Sequence, residues 1–295
     1  MALSNVRRER NPLLRVRGLR KKLSLGWTYL ILSAVAVIFL IPFYWLVITS
    51  LKPMDQVFTD PPTWVPDPIL WSNYVDALTS PAFPFFRLLK NTLFYTVLST
   101  TGVVVSCTFI AYGFARLDFW GKDFLFGVTL STMMLPSIVT LIPTYVLFRW
   151  FGWTGSYAPL IVPYFFGSAF NIFLLRQFFI TLPWELTDAA RVDGASEFYI
   201  FSRIMLPLVK PAILVVAVFH FMWTWNDLMG PLIYLEDSTQ YPLILGLSAF
   251  QTRFGVEWNL MMAASMSVVF PLLVLFFLAQ RYFIEGVVLT GLKGV

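Results

Sequence analysis

Among the few polar side chains of a largely apolar chain, His220, Trp223, Thr224 and Asp227 stand at i, i+3, i+4 and i+7. Tyr164, Gly167, Ser168 and Asn171 repeat that spacing earlier in the sequence. On a helix such positions share one face. Aromatic planes beside hydroxyl, amide and carboxylate groups match a solute with apolar and hydroxyl faces, and Asn226 extends the second set. Turned toward lipid, such a face would be costly, so both sets are expected to face protein or water and to line a solute pathway. Small and polar residues at this spacing also serve helix packing, as expected of Ser99, Gly102 and Ser106, and the spacing alone leaves both readings open. Catalysis is not expected. The chain has one histidine, His220, and one cysteine, Cys107, so it offers no nucleophile–base set, no intrachain disulfide and no metal-ligand cluster.

The elements that must position these residues are membrane spans. Of the 295 residues, 58% are hydrophobic and 13% charged, which excludes an ordinary soluble domain. Uncharged runs extend over Leu23–Leu51, Asn91–Ala115, Phe124–Phe148, Trp150–Leu175 and Trp258–Gln280, and Pro211–Leu235 is interrupted only by Asp227. Each reaches the ~20 residues a helix needs to cross ~30 Å of hydrocarbon. The expected fold is therefore an all-α membrane protein of six transmembrane helices. Arg176, at the inner end of the fourth span, is expected to snorkel.

Charge sets the orientation. Arg7, Arg8, Arg10, Arg15, Arg17, Arg20, Lys21 and Lys22 precede the first span, whose apolar stretch exceeds that of a cleavable secretory signal. With both termini in the cytoplasm only Lys52, Arg87, Lys90, Arg149 and Arg253 of the 21 basic residues fall outside, as the positive-inside rule favours. The basic tail reads as topology and contact with anionic lipid in the bilayer, with no nucleic-acid partner. The chain divides into a basic cytoplasmic tail (1–26), a first span with a Pro-rich external segment (27–90), a core of spans two to six (91–282) and a cytoplasmic C-terminal tail (283–295). Trp71–Leu78 is expected to form one short helix in the external segment.

The most polar long stretch between two apolar runs, within 181–211, falls on the cytoplasmic side between spans four and five. Pro183 suits a first helical turn, and Glu185 and Asp188 place negative charge near the positive helix terminus. Asp193-Gly194 breaks the helix, since Gly reaches positive φ without steric penalty. Ser196 can cap a second helix, in which Phe198, Phe201 and Met205 recur at helical spacing with Ile204 beside them, until Pro207 ends it. A helix-turn-helix outside the bilayer follows, with one apolar face. Interfacial hairpins resting on headgroups usually present Lys and Arg, and this one leads with Glu185, Asp188, Asp193 and Glu197. A protein cleft is the other home for such a hairpin, and the acidic face favours it.

This segment resembles the cytoplasmic EAA loop of binding-protein-dependent ABC importer permeases. The pattern E-A-A, three positions, G, nine positions, I, one position, L-P falls on Asp188-Ala189-Ala190, Gly194, Ile204 and Leu206-Pro207, with Asp188 standing where the family has Glu. WNDLMGPLIYL, EWNLMMAASM and QRYFIEGVVLTGLKG look like the carbohydrate branch, specifically the second permease of maltose-type systems. The resemblance implies a type I importer permease fold in a bacterial or archaeal cytoplasmic (inner) membrane. It implies pairing with a second permease as a heterodimer, an ABC ATPase dimer beneath, and an extracytoplasmic solute-binding protein. Glu185, Asp188, Ala189, Ala190, Asp193, Gly194, Phe198, Phe201, Ile204, Leu206 and Pro207 would then couple to the ATPases. No G-x-x-x-x-G-K-[ST] loop occurs, so this chain is expected to bind no cofactor, with ATP and Mg on the partner ATPases. Gly286–Val295 would reach toward that ATPase pair, on resemblance alone. A secondary transporter would show inverted repeats and an intramembrane ion site, and a scaffold would leave the polar faces of spans four and five without a role.

Overall fold

The computed structural model describes residues 12–252 and 255–291. Arg7, Arg8 and Arg10 of the basic tail, Arg253, and residues 292–295 of the C-terminal tail lie outside it. Apart from turns and loops, the described residues are helical except for a two-stranded antiparallel hairpin, β1 (Gln251–Thr252) with β2 (Gly255–Val256). Among the described residues five helices, Leu25–Ser50, Phe85–Arg116, Ala158–Thr181, Glu197–Trp225 and Trp258–Gln280, are long and apolar enough to cross a membrane.

The first of these belongs to α1 (Pro12–Ser50), which begins inside the expected tail and packs chiefly on the last helix, with residues 25–42 exposed. The Pro-rich segment follows, with α2 (Ser72–Thr79) where one short helix is expected. Then comes α3 (Phe85–Arg116), the central post of the molecule. The third expected span, Phe124–Phe148, is not one straight helix. It is α4 (Lys122–Thr132) and α5 (Ser137–Trp150), bent by 100° at the break. Pro136 disfavours helical backbone at Leu135, so the first helix cannot run on into the second.

The fourth span is broken as well. A single turn, α6 (Ala158–Ile161), leads into a 3-10 segment, Val162–Phe166, and Gly167 at φ 103° separates it from α7 (Ala169–Thr181). After the hairpin helix α8 (Glu185–Val192), the chain turns and runs without interruption through α9 (Glu197–Tyr199), a π segment at Ile200–Met205 and α10 (Leu206–Trp225). Pro207 therefore does not end the second hairpin helix, contrary to expectation. Proline brings no amide donor to the ladder, and just ahead of it the ladder widens so that the Leu206 amide donates to the Phe201 carbonyl, five residues back, which accommodates the ring inside a continuous helix. The second hairpin arm and the fifth span are one helix, and that helix stops at Trp225, short of Asp227. A short α11 (Met229–Tyr234) and α12 (Leu243–Gly246) cap the far end, and α13 (Trp258–Gly291) closes the chain, carrying helix into most of the expected C-terminal tail.

Burial concentrates at the two ends of α3. At the hairpin end Val103, Cys107, Ala111, Leu175, Phe179, Ile200 and Met205 form one core; at the far end Phe83, Leu88, Trp225, Leu243, Phe250 and Ala263 form another. Between the lipid-length helices, the small residues of α3 set the approach. A Cβ on Gly102 would stand 2.8 Å from the Phe165 ring, and Ser99 Oγ donates to Thr224 Oγ1 at 3.4 Å, so this stripe packs helices as expected.

Candidate functional site

The hairpin is built from a tight turn between two short amphipathic arms. Asp193-Gly194 ends α8, with Gly194 at φ 78° and its amide donating to the Arg191 carbonyl at 3.0 Å. Ser196 caps the second arm, its Oγ accepting from the Tyr199 amide at 3.3 Å. Thr187 and Ala190 turn inward, while Glu185, Asp188, Ala189, Asp193 and Gly194 are exposed. Arg191 bridges the arms: its Nε donates to Glu197 Oε1 at 2.8 Å and its Nη1 lies 3.6 Å from Asp188 Oδ1. The bond to Glu197 holds the Arg191 guanidinium above the usual arginine value, with the Asp188 charge acting the same way and slight burial opposing it. Both pairs are half-exposed and worth at most about 1 kcal/mol each, so they shape the turn more than they stabilise the fold.

The apolar residues assigned to docking divide. Phe198 is 68% exposed, whereas Phe201 is 5% exposed. Phe201 packs inward on Phe109 and Tyr112, with ring centroids 4.7 and 5.0 Å apart. Phe201 and Ala190 hence seat the hairpin on its own chain and are not available to a partner. Helical spacing groups Phe198 with Phe201, but the π segment that begins at Ile200 rotates the second arm between them. Ile204 and Leu206 are half-buried and Pro207 exposed, at the root of the arm.

Two residues to which the sequence gives no site role, Arg116 and Tyr112, hold the hairpin down, and Arg176 ties α7 to α3 beside them. Arg116, in the last turn of α3, is 1% exposed; its Nε and Nη2 donate to the Phe179 carbonyl at 3.1 and 2.7 Å, and Nη2 also to the Leu182 carbonyl at 2.5 Å. Its guanidinium lies 4.5 Å from the Trp184 ring, and the Tyr112 hydroxyl donates to Glu197 Oε2 at 3.1 Å. Arg176, at the inner end of the fourth span, is half-buried. Its Nε donates to the Phe114 carbonyl at 3.2 Å and its guanidinium sits 4.1 Å over the Phe126 ring. The signal available in the sequence was position, since an arginine in the last turn of an apolar helix faces carbonyls without intrahelical partners.

The second constellation lies where α10 passes the broken fourth span. Because that span breaks at Gly167, the i, i+3, i+4, i+7 reading of Tyr164, Gly167, Ser168 and Asn171 does not describe one helical face. A Cβ at Gly167 would press Ile110 and Ile172, each at 3.0 Å, so the positive-φ break needs glycine. Residues of α3 staple it: Ser106 Oγ donates to the Tyr164 carbonyl at 2.9 Å, and the Ser168 amide donates to Cys107 Sγ at 3.2 Å. Ser168 and Asn171 then face each other across the first turn of α7, Asn171 Nδ2 donating to Ser168 Oγ at 3.1 Å.

An open groove of about 390 Å³ gathers Tyr164, Ser168, Phe170, Asn171, Phe219, His220 and Trp223. The Tyr164 and His220 rings meet edge to face at 4.6 Å, and the buried His220 Nε2 has no hydrogen-bond partner among the described residues. A second groove of about 800 Å³ shares Phe219 and Trp223 and continues past Met222, Asn226, Asp227 and Met229 to Ser137. Thr224 lines neither. It points at α3 and bonds Ser99 and the His220 carbonyl, so it packs rather than faces solute. Asp227, beyond the end of α10, accepts from the Tyr95 hydroxyl at 2.7 Å and the Gly230 amide at 2.9 Å, tying α3 to the start of α11. Of the expected pathway residues, seven come to the grooves, and Gly167 and Thr224 shape them from behind. Neither groove is lined by a lysine or an arginine.

Comparison with known proteins places this geometry. The family model described as the binding-protein-dependent transport system inner membrane component matches residues 100–288. The arabinooligosaccharides transport system permease protein AraQ of Bacillus subtilis is 31% identical over 262 residues, 88% of this chain and 92% of that protein. The trehalose/maltose transport system permease protein MalG of Thermococcus litoralis is 30% identical over 274 residues, 90% of this chain and 96% of that one. A crystal structure of a bacterial ABC transporter involved in import of the acidic polysaccharide alginate contains a chain of the same fold, with TM-score 0.74 and 23% identity, covering 96% of this chain and 100% of that chain.

Proposed function

The chain belongs to the binding-protein-dependent transport system inner membrane components, and from that premise we propose that it is one of two permeases of an importer for a neutral sugar or related polyol. Membership leaves the secondary-transporter and scaffold readings without support. The chain is a translocation component and not an enzyme.

In this reading the grooves beside α10 line the solute route. Tyr164, Trp223 and Phe219 offer faces to the apolar side of a sugar ring, and Ser168, Asn171 and Asn226 offer hydrogen bonds to hydroxyls. A lining whose sole formal charge is the Asp227 carboxylate suits a neutral solute, because a uronate or phosphate would enter a low-dielectric groove without a countercharge. The names of the two relatives, one for arabinooligosaccharides and one for trehalose and maltose, point to the same class.

The single observation that carries the coupling role is the hairpin's exposed acidic and apolar tip on a buried, bonded base. Glu185, Asp188, Asp193 and Phe198 would enter a cleft on an ABC ATPase subunit. An ATPase dimer holding ATP and Mg would close, displace the hairpin and rotate the helices packed on it, turning the grooves from one side of a cytoplasmic (inner) membrane to the other. Both chain termini and the hairpin would lie in the cytoplasm. A second permease would complete the pathway as a heterodimer, and an extracytoplasmic binding protein would deliver the solute. The test is reconstitution of the four kinds of subunit in vesicles. Solute-dependent ATP hydrolysis with uptake of neutral oligosaccharide is expected; uptake without ATPase subunits would refute the reading.

A further inference from the structure

We propose that Arg116 and Tyr112 clamp the two arms of the hairpin to α3, with Arg176 closing the clamp from α7, and that these three act as positioning residues in transmission of the power stroke. The proposal rests on the coupling role argued above and adds the joint through which it acts.

The chain between α7 and α8 is short, Leu182 to Trp184, and is the natural place for a hinge. One side chain spans it. Arg116 bonds the Phe179 carbonyl at the end of α7 and the Leu182 carbonyl in the link, and it stacks on Trp184 at the start of α8. A movement of α8 relative to α7 would break this planar fork, so the first arm moves with α3 and α7 together. One turn earlier on the same face of α3, Tyr112 bonds Glu197 in the second arm, and its ring packs on both Phe179 and Phe201.

Arg176 answers Arg116. Each donates to carbonyls near the C-terminal end of the other's helix, where the peptide dipoles leave negative charge unsatisfied. Stability alone does not call for this chemistry, since well-packed apolar side chains commonly match or exceed a buried ionic group. What a guanidinium adds is a fixed relation among three segments, set by the directions of its donors. The assembly therefore turns a push at Phe198 and Asp193 into a displacement of α3 and α7, the two helices that frame the Ser106–Tyr164 and Cys107–Ser168 contacts behind the groove.

The experiment uses the full complex in vesicles and measures uptake per ATP hydrolysed for Arg116→Lys, Arg116→Met, Tyr112→Phe and Glu197→Gln. Lysine keeps the charge but not the fork. Both Arg116 variants are expected to lower the ratio about tenfold, and Tyr112→Phe and Glu197→Gln about threefold, in the range by which mutations between two sites modulate their coupling. ATPase subunits should still co-purify. Uptake and hydrolysis falling in parallel, with the ratio unchanged, would overturn the clamp. So would failure of all four variants to assemble, because that assigns these residues to folding. Amide hydrogen exchange over Glu185–Tyr199, with and without ATPase subunits, separates the two ideas: no protection in the wild-type complex sinks the coupling role itself, whereas protection with an unchanged ratio sinks only the clamp.

Discussion

Phe198 and Phe201 sit one helical turn apart and have opposite environments, 68% and 5% exposed. Truncating Phe201 removes its stacks on Phe109 and Tyr112, and Phe201→Ala is expected to destabilise the chain by about 3–5 kcal/mol, read as a lower midpoint of thermal unfolding in detergent. Phe198→Ala should stay within about 0.5 kcal/mol and instead weaken co-purification of the ATPase subunits. Equal thermal effects of the two would contradict the burial pattern. In the groove, Trp223→Ala is expected to cut uptake of neutral oligosaccharide about fivefold, the loss of a stacking face. Trp150→Ala, exposed at the end of α5 and lining neither groove, should leave uptake alone. At this scale the residue types were legible and their geometry only partly. Tyr164, Ser168, Asn171, His220 and Trp223 do converge, yet by a different route from a helical face: a positive-φ glycine at 167 redirects the chain. Thr224 shows the reverse failure, since a hydroxyl at the right spacing serves equally well to bond a neighbouring helix.

At the scale of elements, Gly194 is the critical position. Proline there would remove the amide that bonds Arg191 and could not adopt φ 78°. Gly194→Pro is expected to disconnect uptake from hydrolysis in the reconstituted complex. Normal uptake with unchanged solute-stimulated ATPase would defeat the lever. Ser196→Ala is a milder cut: loss of the N-cap should cost about 1 kcal/mol in thermal unfolding while sparing the turn. The hairpin was legible because turn and cap chemistry are local, Asp-Gly and Ser acting on their own backbones. Where the second arm ends was not, because Pro207 is compatible with both stopping a helix and starting one, and packing of Ile200, Met205 and Val209 against α3 and α7 decides for continuation. The third span, too, reads as one element in the sequence. An uncharged run reports cost in lipid and carries no information on a 100° bend.

At the scale of the molecule, α3 is the organising element. Its far end holds Asp227 through Tyr95, its middle staples the broken fourth span, and its hairpin end holds both arms of the lever. Composition revealed the class and the number of apolar runs, since burying charge in lipid is prohibitive everywhere along the chain. It did not reveal that one helix touches every functional segment, which depends on small residues meeting rings across helices, as Gly102 meets Phe165. The central claim is that the acidic hairpin grips a separate motor. The sole cysteine, Cys107, is buried, so a cysteine introduced at Asp193 reports on its own surroundings. In the assembled complex, Asp193→Cys labelled with a short thiol-reactive photo-crosslinker should link on illumination to an ABC ATPase subunit, with a yield that changes on addition of ATP. An intact, transporting complex in which that residue links to no ATPase subunit would contradict the account.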